Sequence, residues 1–412
     1  MKRIRRGLFA ALALAAANLR ADDWVDALDR ALTVSALQDA FRARLSGTLD
    51  LEGYRFSRPA PGFIDAEGGR LAAPRLTTFL DAQLGGHVYA FVQARVDRGF
   101  DPSDDPLRGR LDEYELRLTP WADGRFSVQV GKFATVVGNW IPRHGSWENP
   151  FVTAPLPYEQ LTALWDTVAA RSGETVLGWE RAARTAPDAD KYLRLPVVWG
   201  PSYASGVAVS GGVGRITYAA EIKNASLSSR PSEWDASRWG GGRSTVSGRL
   251  GYRPNPMWSL GFSASTGAYL RDTAEPTIPA GLRPGDYRQR VLAQDIGFAW
   301  RHLQVWAEAY EARFEIPRVG EAATFSWYIE AKYKFTPRFF GAVRWNEQRF
   351  GDLPDGNGQR VPWGADLWRL DVAPAFRLTP HLQLKLQYSL QHEAFDAREL
   401  AHLLALQATL RF

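Results

Sequence analysis

The feature that most constrains this chain is a strict alternation of apolar and polar residues that continues to its last position. In the final nine residues, LALQATLRF, every second position is apolar or aromatic: Leu404, Leu406, Ala408, Leu410 and Phe412. Side chains of a β-strand point alternately to its two faces, so this pattern predicts a strand with one apolar and one polar face. Residues 41–52 show the same alternation.

Segments with this pattern recur along the chain and number about sixteen, each of around ten residues, between turn signals. The connections alternate between short ones, such as GG at 85–86 and TPR at 336–338, and long ones, such as 139–203 and 271–289. Short turns at one end and long loops at the other are typical of transmembrane β-barrels. The count would rise to about eighteen if TVLGWERAA and KYLRLPVVW, both within 139–203, formed another hairpin.

The N-terminal residues predict export. Residues 1–21 combine the cationic start MKRIRR with an apolar run of about eleven residues, which is typical of a secretory signal peptide and too short to span a bilayer. Residues 22–40 lie outside the alternation, and Trp24, Leu28 and Leu32 recur there at helical spacing. We therefore predict a short periplasmic segment with a helix before the first strand.

Composition excludes several classes of function. The chain has 50 Lys and Arg against 45 Asp and Glu, and five of these bases but no acid lie in residues 1–21, which leaves 45 of each sign. A balanced chain has no global basic field that would attract nucleic acid. The absence of cysteine excludes disulfides and zinc–thiolate sites.

No enzyme motif is complete in the sequence. The stretch HEAFD at 392–396 carries Asp396 where a zinc-protease helix needs its second histidine, and the six histidines of the chain lack ligand spacing. We therefore predict no catalytic residue, no metal site and no cofactor.

The layout as a whole resembles the Gram-negative outer-membrane β-barrels of the porin type. In that family the last strand runs to the C-terminus and ends in an aromatic residue that the barrel-assembly machinery reads, and LALQATLRF with Phe412 matches this assembly signal. The resemblance implies an all-β fold, a closed antiparallel transmembrane barrel over 41–412 with short periplasmic turns and long extracellular loops. It also implies contact with outer-membrane lipid and lipopolysaccharide, and homotrimers are usual in the family.

The long aromatic connection at 139–203 follows the fifth strand, where porin-type barrels carry the loop that folds inward and narrows the pore. Loops of this length are usually functional, although this one could instead only cover the mouth of the barrel. The candidate constriction residues are Arg143, His144, Trp147, Glu148, Tyr158, Glu159, Trp165 and Asp166.

The polar faces of the strands supply candidate pore-lining residues: Arg42, Arg44, Arg95, Glu113, Glu115, Arg117, Arg344, Arg369 and Lys385. Rings of Arg and Lys favour anions, but acids are interleaved with these bases. The pattern therefore predicts only a weak preference for anions.

The sequence thus predicts a porin-like outer-membrane channel for passive diffusion of small hydrophilic solutes. One alternative is a substrate-specific channel for sugars or a polyanionic polysaccharide, with the aromatic loop as a stacking track. Another is a barrel without an open pore, acting as an enzyme, an adhesin or a structural anchor. The alternation changes phase within 303–316, and either a bulge near 309–310 or a misplaced strand boundary would explain this change.

Overall fold

A computed structural model describes residues 21–38, 40–57, 61–64, 69–99, 107–186, 191–232, 244–394 and 400–412. The predicted signal peptide lies outside these ranges except for Ala21. One antiparallel sheet dominates the described residues, and its sixteen long strands close into a barrel. Among these residues, no helix is both long and apolar enough to cross a membrane.

The barrel strands follow one another around the wall in chain order. They are β1 (Phe41–Phe56), β2 (Arg70–Leu84), β3 (Val88–Asp97), β4 (Arg108–Leu118), β5 (Ser127–Phe133), β6 (Ala204–Val213), β7 (Ile216–Lys223), β8 (Thr245–Tyr252), β9 (Trp258–Ala268), β10 (Arg288–Trp300), β11 (Leu303–Ile316), β12 (Gly320–Lys334), β13 (Phe339–Phe350), β14 (Leu367–Arg377), β15 (Leu382–Glu393) and β16 (Ala401–Arg411). The shorter strands Thr33–Ala36, Leu161–Trp165, Arg194–Pro196, Asp352–Pro354 and Arg360–Pro362 lie outside this series. The predicted count of about sixteen is confirmed.

The alternative of eighteen strands is wrong. The α-helices of the described residues are α1 (Ala21–Ala31), α2 (Leu156–Glu159) and α3 (Gly173–Thr185). The stretch TVLGWERAA lies in α3 and therefore forms no barrel strand. The second stretch contributes Arg194–Pro196, which pairs with Leu161–Trp165 in a small sheet separate from the barrel. The buried residues Gly173, Val176, Leu177 and Glu180 recur at three- and four-residue spacing, which is the period of a helix with one inward face.

The ring closes because β1 pairs with β2 along one edge and with β16 along the other. Past Arg411, Gly47 and Phe412 exchange backbone hydrogen bonds of 2.9 and 3.0 Å. Closer to the start of β1, its edge is covered by Thr33–Ala36, which pairs with residues 41–44. The C-terminal strand and this N-terminal strand together leave no open edge along β1.

The outer surface of the barrel is apolar. On β16, Leu404 and Leu406 are exposed while the alternate Gln407 and Thr409 are buried inside. Exposed aromatic rings lie on the outer surface beside the periplasmic turns: Trp258, Trp300, Tyr333 and Phe339. An apolar band bordered by aromatic side chains is the exterior of a barrel that spans a membrane.

The phase change in β11 has neither of the predicted causes. The strand pairs with β10 and with β12 over its whole length without a register shift. Instead, the two faces exchange chemistry above Ala309: Glu311 and Arg313 form an ion pair on the outside, while Tyr310 and Phe314 are buried inside. The strand rises beyond the apolar band, so its outer face meets water and its inner face packs against loops.

Candidate pore

The connection between β5 and β6, residues 134–203, folds into the barrel, and we call it the inner loop. It contains α2, α3 and the small sheet, and it includes the predicted range 139–203. An irregular backbone inside a barrel needs hydrogen-bond partners for its N–H and C=O groups. The inward faces of β11–β15 supply many of them, and we call these five strands the closed wall.

Lys385 and Gln387 on β15 bind the backbone of the inner loop. The Nζ of Lys385 donates to the carbonyl oxygens of Ser146, Asn149 and Phe151 at 2.6, 2.9 and 3.2 Å. The Oε1 of Gln387 accepts from the backbone N–H groups of residues 152 and 153 at 2.6 and 3.1 Å. Lys385, predicted to line the pore, therefore holds the loop.

An ion network on β13 and β14 holds α2. The Nε of Arg344 donates to Asp371 at 2.9 Å, and its Nη2 donates to the carbonyl oxygen of Ala154 at 3.1 Å. Arg369 pairs with Asp371 at 3.2 Å and with Glu159 of α2. Burial raises the pKa of Glu159, and the adjacent Arg369 opposes that shift. Because these groups are buried, they fix the loop and are not available to a solute.

Two further contacts attach the first part of the loop to β11 and β12. Arg143 donates to Glu330 and, at 3.0 Å, to the hydroxyl of Tyr328. The hydroxyl of Tyr158 donates to Glu308 at 2.8 Å. Arg143 and Tyr158 are thus attached to the closed wall.

The extracellular half of the lumen beside β9–β14 is filled by an apolar core. It joins the inner loop to the loop 269–287, to 351–366 and to the inward faces of β10–β12. Its buried members include Leu164, Val176, Leu195, Tyr269, Tyr287, Phe314, Ile316 and Trp363. Trp165 lies against Trp179 of α3 with ring centroids 6.0 Å apart, and Asp166 accepts from Arg271 at 2.6 Å. Neither of these predicted constriction residues faces the open lumen.

On the opposite side, β1–β5 face an open cavity of about 1060 Å³, and we call these strands the open wall. The lining extends from Gly99 and Pro231 near the extracellular ends of the strands to Asp29 and Arg411 at the periplasmic end. Residues 140–149 of the inner loop form the facing side. We call this cavity the channel.

A second cavity of about 690 Å³ lies at the extracellular ends of β13–β16, beside α3. Residues 61–64 of the loop after β1 lie between the inner loop and the barrel wall. Phe63 stacks on Trp199 with ring centroids 4.2 Å apart, and its carbonyl oxygen accepts from the Tyr192 hydroxyl at 3.2 Å.

Six bases and six acids line the channel: Arg44, Arg75, Arg95, Arg110, Arg117 and Arg411, with Asp29, Asp50, Asp97, Glu113, Glu115 and Glu148. Most of these side chains form ion pairs, and in most pairs the carboxylate is less exposed to water than the guanidinium. Arg75 is 26% exposed and its partner Asp50 1%, and Arg117 is 41% exposed and Glu115 4%. The pair of Arg110 and Asp97 is the reverse, at 3% and 18%. The groups that meet water in the channel are therefore mainly guanidiniums.

The predicted residues separate into three groups. Those that line the channel are His144, Trp147, Glu148, Arg44, Arg95, Glu113, Glu115 and Arg117. Those in contacts with the closed wall or within the apolar core are Arg143, Tyr158, Glu159, Trp165, Asp166, Arg344, Arg369 and Lys385. Arg42 is exposed opposite Ser35 at the periplasmic end. Arg75 and Arg110 also line the channel and are absent from the prediction. Extending the alternation of β2 from 76 by one residue towards the N-terminus would have found Arg75.

His144 lies where the inner loop meets the channel. Its Nδ1 lies 2.5 Å from the carbonyl oxygen of Ile141, and its Nε2 lies 3.0 Å from the hydroxyl of Tyr203. A neutral ring that donates from Nδ1 and accepts at Nε2 satisfies both contacts. Burial lowers the pKa of His144 to about 4. Within the described ranges, no three His, Asp or Glu side chains are grouped to hold a metal ion.

Comparison with solved structures identifies the architecture. The anion-selective porin from Comamonas acidovorans aligns with a TM-score of 0.55 at 9% identity, over 90% of this chain and 100% of its own. The Salmonella typhi OmpF complex with daunomycin gives 0.56 at 12%, over 92% and 100%. The outer membrane channel DcaP of Acinetobacter baumannii gives 0.54 at 10%, over 92% and 99%. The chain has the porin fold.

Identities this low support the porin fold alone. No family model and no curated protein matches the sequence. The assignment of the porin fold therefore rests on the closed barrel of sixteen strands and on its alignment over nine-tenths of the chain.

Proposed function

We propose that this protein is an outer-membrane channel of the porin type for passive diffusion of small hydrophilic solutes, with a weak preference for anions. The observation that carries the proposal is the cavity of about 1060 Å³ between the open wall and the inner loop, lined by charged and polar groups. The inner loop would narrow this passage. The proposal assigns the chain no catalytic residue, metal or cofactor.

The outer membrane is the location that the surface favours. The closed ring, the apolar exterior and the final strand with Phe412 are the features that such a membrane requires. Two of the similar structures are an anion-selective porin and an outer membrane channel, which supports a transport role here. Outer-membrane lipid, lipopolysaccharide, the assembly machinery and a homotrimer are the proposed partners.

The weak anion preference follows from the depth of the charges. Equal numbers of bases and acids line the channel, so the net field is small. The more exposed guanidiniums of Arg44, Arg75 and Arg117 lie nearer to a passing ion than their carboxylate partners do. Salt should reduce the preference, because the Debye length falls from about 10 Å at 0.1 M to about 3 Å at 1 M.

The inner loop gives no support to a stacking track for sugars or polysaccharides. Trp147 lines the channel but is 6% exposed, and the guanidiniums of Arg377 and Arg411 lie 5.2 and 4.5 Å from its ring centre. Trp165 packs against Trp179 in the apolar core. Trp147 is nearly buried, and Trp165 lies outside the lining of the channel, so neither ring is open to a solute there.

Planar-bilayer recording of the purified, refolded protein tests the proposal. We expect stepwise conductance and, in a salt gradient, a small reversal potential of the sign that indicates anion preference. Replacing both Arg75 and Arg117 by Gln should shift that potential towards cations, whereas Arg290→Gln on the outer surface should not. Folded protein without conductance would overturn the channel, and unchanged selectivity in the double variant would overturn the origin of the preference.

A further inference from the structure

Three aromatic rings lie on the lumen face of the open wall, where a pore-lining strand normally presents polar groups. Phe79 is on β2, and Tyr89 and Phe91 are on β3. The ring centroids of Phe79 and Phe91 are 6.2 Å apart with planes at 18°, and those of Phe91 and Tyr89 are 6.5 Å apart at 11°. We call these nearly parallel rings the aromatic strip.

The strip follows the direction of the channel. Phe79 pairs across the strands with Gln93, Phe91 with Asp81, and Tyr89 with Gln83, so the rings occupy three successive rows towards the periplasmic end. All three line the channel and are only partly buried. None belongs to an apolar cluster of the described residues or packs against one. Internal packing therefore does not explain why aromatic rings occur here.

The groups beside the strip carry equal charge of both signs. In the strand register, Arg117 lies opposite Tyr89, and Glu115 and Asp81 lie opposite Phe91 on its two sides. Arg44 lies opposite Asp81 on the next strand. The Tyr89 hydroxyl donates to Asp81, and the Arg117 guanidinium lies 5.5 Å from the centre of the Tyr89 ring. Two guanidiniums and two carboxylates give no net charge to attract an ion, but they offer many hydrogen-bond donors and acceptors.

This combination selects a class of solute. Ring faces bind a flat apolar surface, and the neutral polar border binds hydroxyl groups, which both donate and accept. A sugar ring presents both features, one face of C–H groups and an edge of hydroxyls. We propose that the aromatic strip is a sugar-binding subsite of the channel, for uncharged mono- and short oligosaccharides. The inference rests on the proposed channel function, and names its substrate class.

Two measurements with maltotriose as the probe test the subsite. One is calorimetric titration of the folded protein in detergent, and the other is reduction of ionic current by maltotriose in a planar bilayer. We expect millimolar binding and a matching current block. Phe91→Ala should weaken both about tenfold, as expected for loss of one stacking ring, and the double change Phe79→Ala with Phe91→Ala should abolish them. Conductance without sugar should not fall.

Val92→Ala, on the lipid-facing side of the same strand, is the matched control and should leave the block unchanged, as should Phe91→Tyr, which keeps the ring. A wild-type channel that conducts but neither binds nor responds to maltotriose overturns the subsite, and so does a block that persists in the double variant. Block by benzoate without block by maltotriose overturns the sugar class. Folded protein that binds maltotriose through the strip but does not conduct supports the subsite and overturns only the channel.

Discussion

The closed wall and the open wall are built from the same residue types but use them differently. Arg344 and Arg369 on the closed wall are 0% and 3% exposed, and each contacts both a carboxylate and a backbone carbonyl oxygen of the inner loop. Arg44 and Arg117 on the open wall are 47% and 41% exposed and keep access to water. The position of one loop decides which arginines hold the structure and which can meet a solute.

The difference has an energetic consequence. A buried ion network is destabilised strongly when one member is removed, because the remaining charge stays buried without a partner. A charge pair that is open to water loses little when it is broken, since water replaces the missing partner. Mutations that remove the same type of group from the two walls should therefore have unequal effects.

The largest effect is expected for Asp371→Asn. This change removes the carboxylate that pairs with both Arg344 and Arg369, and it should cost about 3–5 kcal/mol of unfolding free energy. Loosening of the inner loop should also make single-channel currents noisier. Urea unfolding of the refolded protein measures the first effect, and bilayer recording measures the second.

The matched control on the open wall is Glu115→Gln. Its partner Arg117 is 41% exposed, so the loss should be about 0–1 kcal/mol. Equal losses at both positions would contradict the division of the barrel into a closed and an open wall.

The second prediction compares the outside of the closed wall with the inside of the open wall. Leu386 on β15 is 43% exposed on the outer surface, and Arg at this depth costs about 2–4 kcal/mol in lipid. Leu386→Arg should therefore impair insertion, measured by heat-modifiable gel migration. Gln83→Arg, at an exposed inward position of β2, should be tolerated, and equal tolerance of the two changes would contradict the assignment of faces.

The alternation in the sequence predicts the barrel well because it depends only on which face each residue occupies. Strand number, loop parity and the closing strand at 401–411 all follow from it. The same alternation places Arg344 and Arg117 on equivalent inward faces, and nothing local separates them. Their different roles depend on where the inner loop lies, which is set by contacts more than 150 residues apart, such as that of Arg344 with Thr153.

The alternation did not lead us to predict two other features of the barrel. The exchange of faces along β11 arises where the strand leaves the apolar band, and a sequence does not mark that level. The aromatic strip is visible in the sequence as aromatic residues at polar-phase positions 79, 89 and 91, a signal that counts of apolar residues overlook.

The third prediction tests the closure of the ring next to the open wall. A side chain on Gly47 would meet the Phe412 ring at 2.6 Å and the Thr77 carbonyl oxygen at 2.7 Å. Gly47→Val should displace Phe412 and cost about 1–3 kcal/mol, and should slow assembly in cells. Gly53→Val, on the same strand with no atom within 4 Å of the added carbon, is the control, and outer-membrane levels of both variants provide the readout.

The smallest effect concerns His144, at the boundary between the inner loop and the channel. Its ring contacts Ile141 and Tyr203, and the charges of Arg95, Arg75 and Asp112 act on it from the open wall. Its pKa is about 4 in the folded chain, against an ordinary value of 6.5, mainly because of burial. Above about pH 6.5 the ring is neutral in both states and the shift has no effect on stability.

As the pH falls from 6.5 towards 4, the unfolded chain takes up a proton that the folded chain does not, so the folded state loses stability. The loss is complete below the folded pKa of about 4. His144→Gln cannot take up this proton, so it should be slightly less stable than wild type at pH 7 and should lose less on acidification. Thermal unfolding midpoints at pH 7, 5.5 and 4 should therefore converge or cross for the two proteins; a constant gap across this range would mean that His144 titrates normally in the folded barrel.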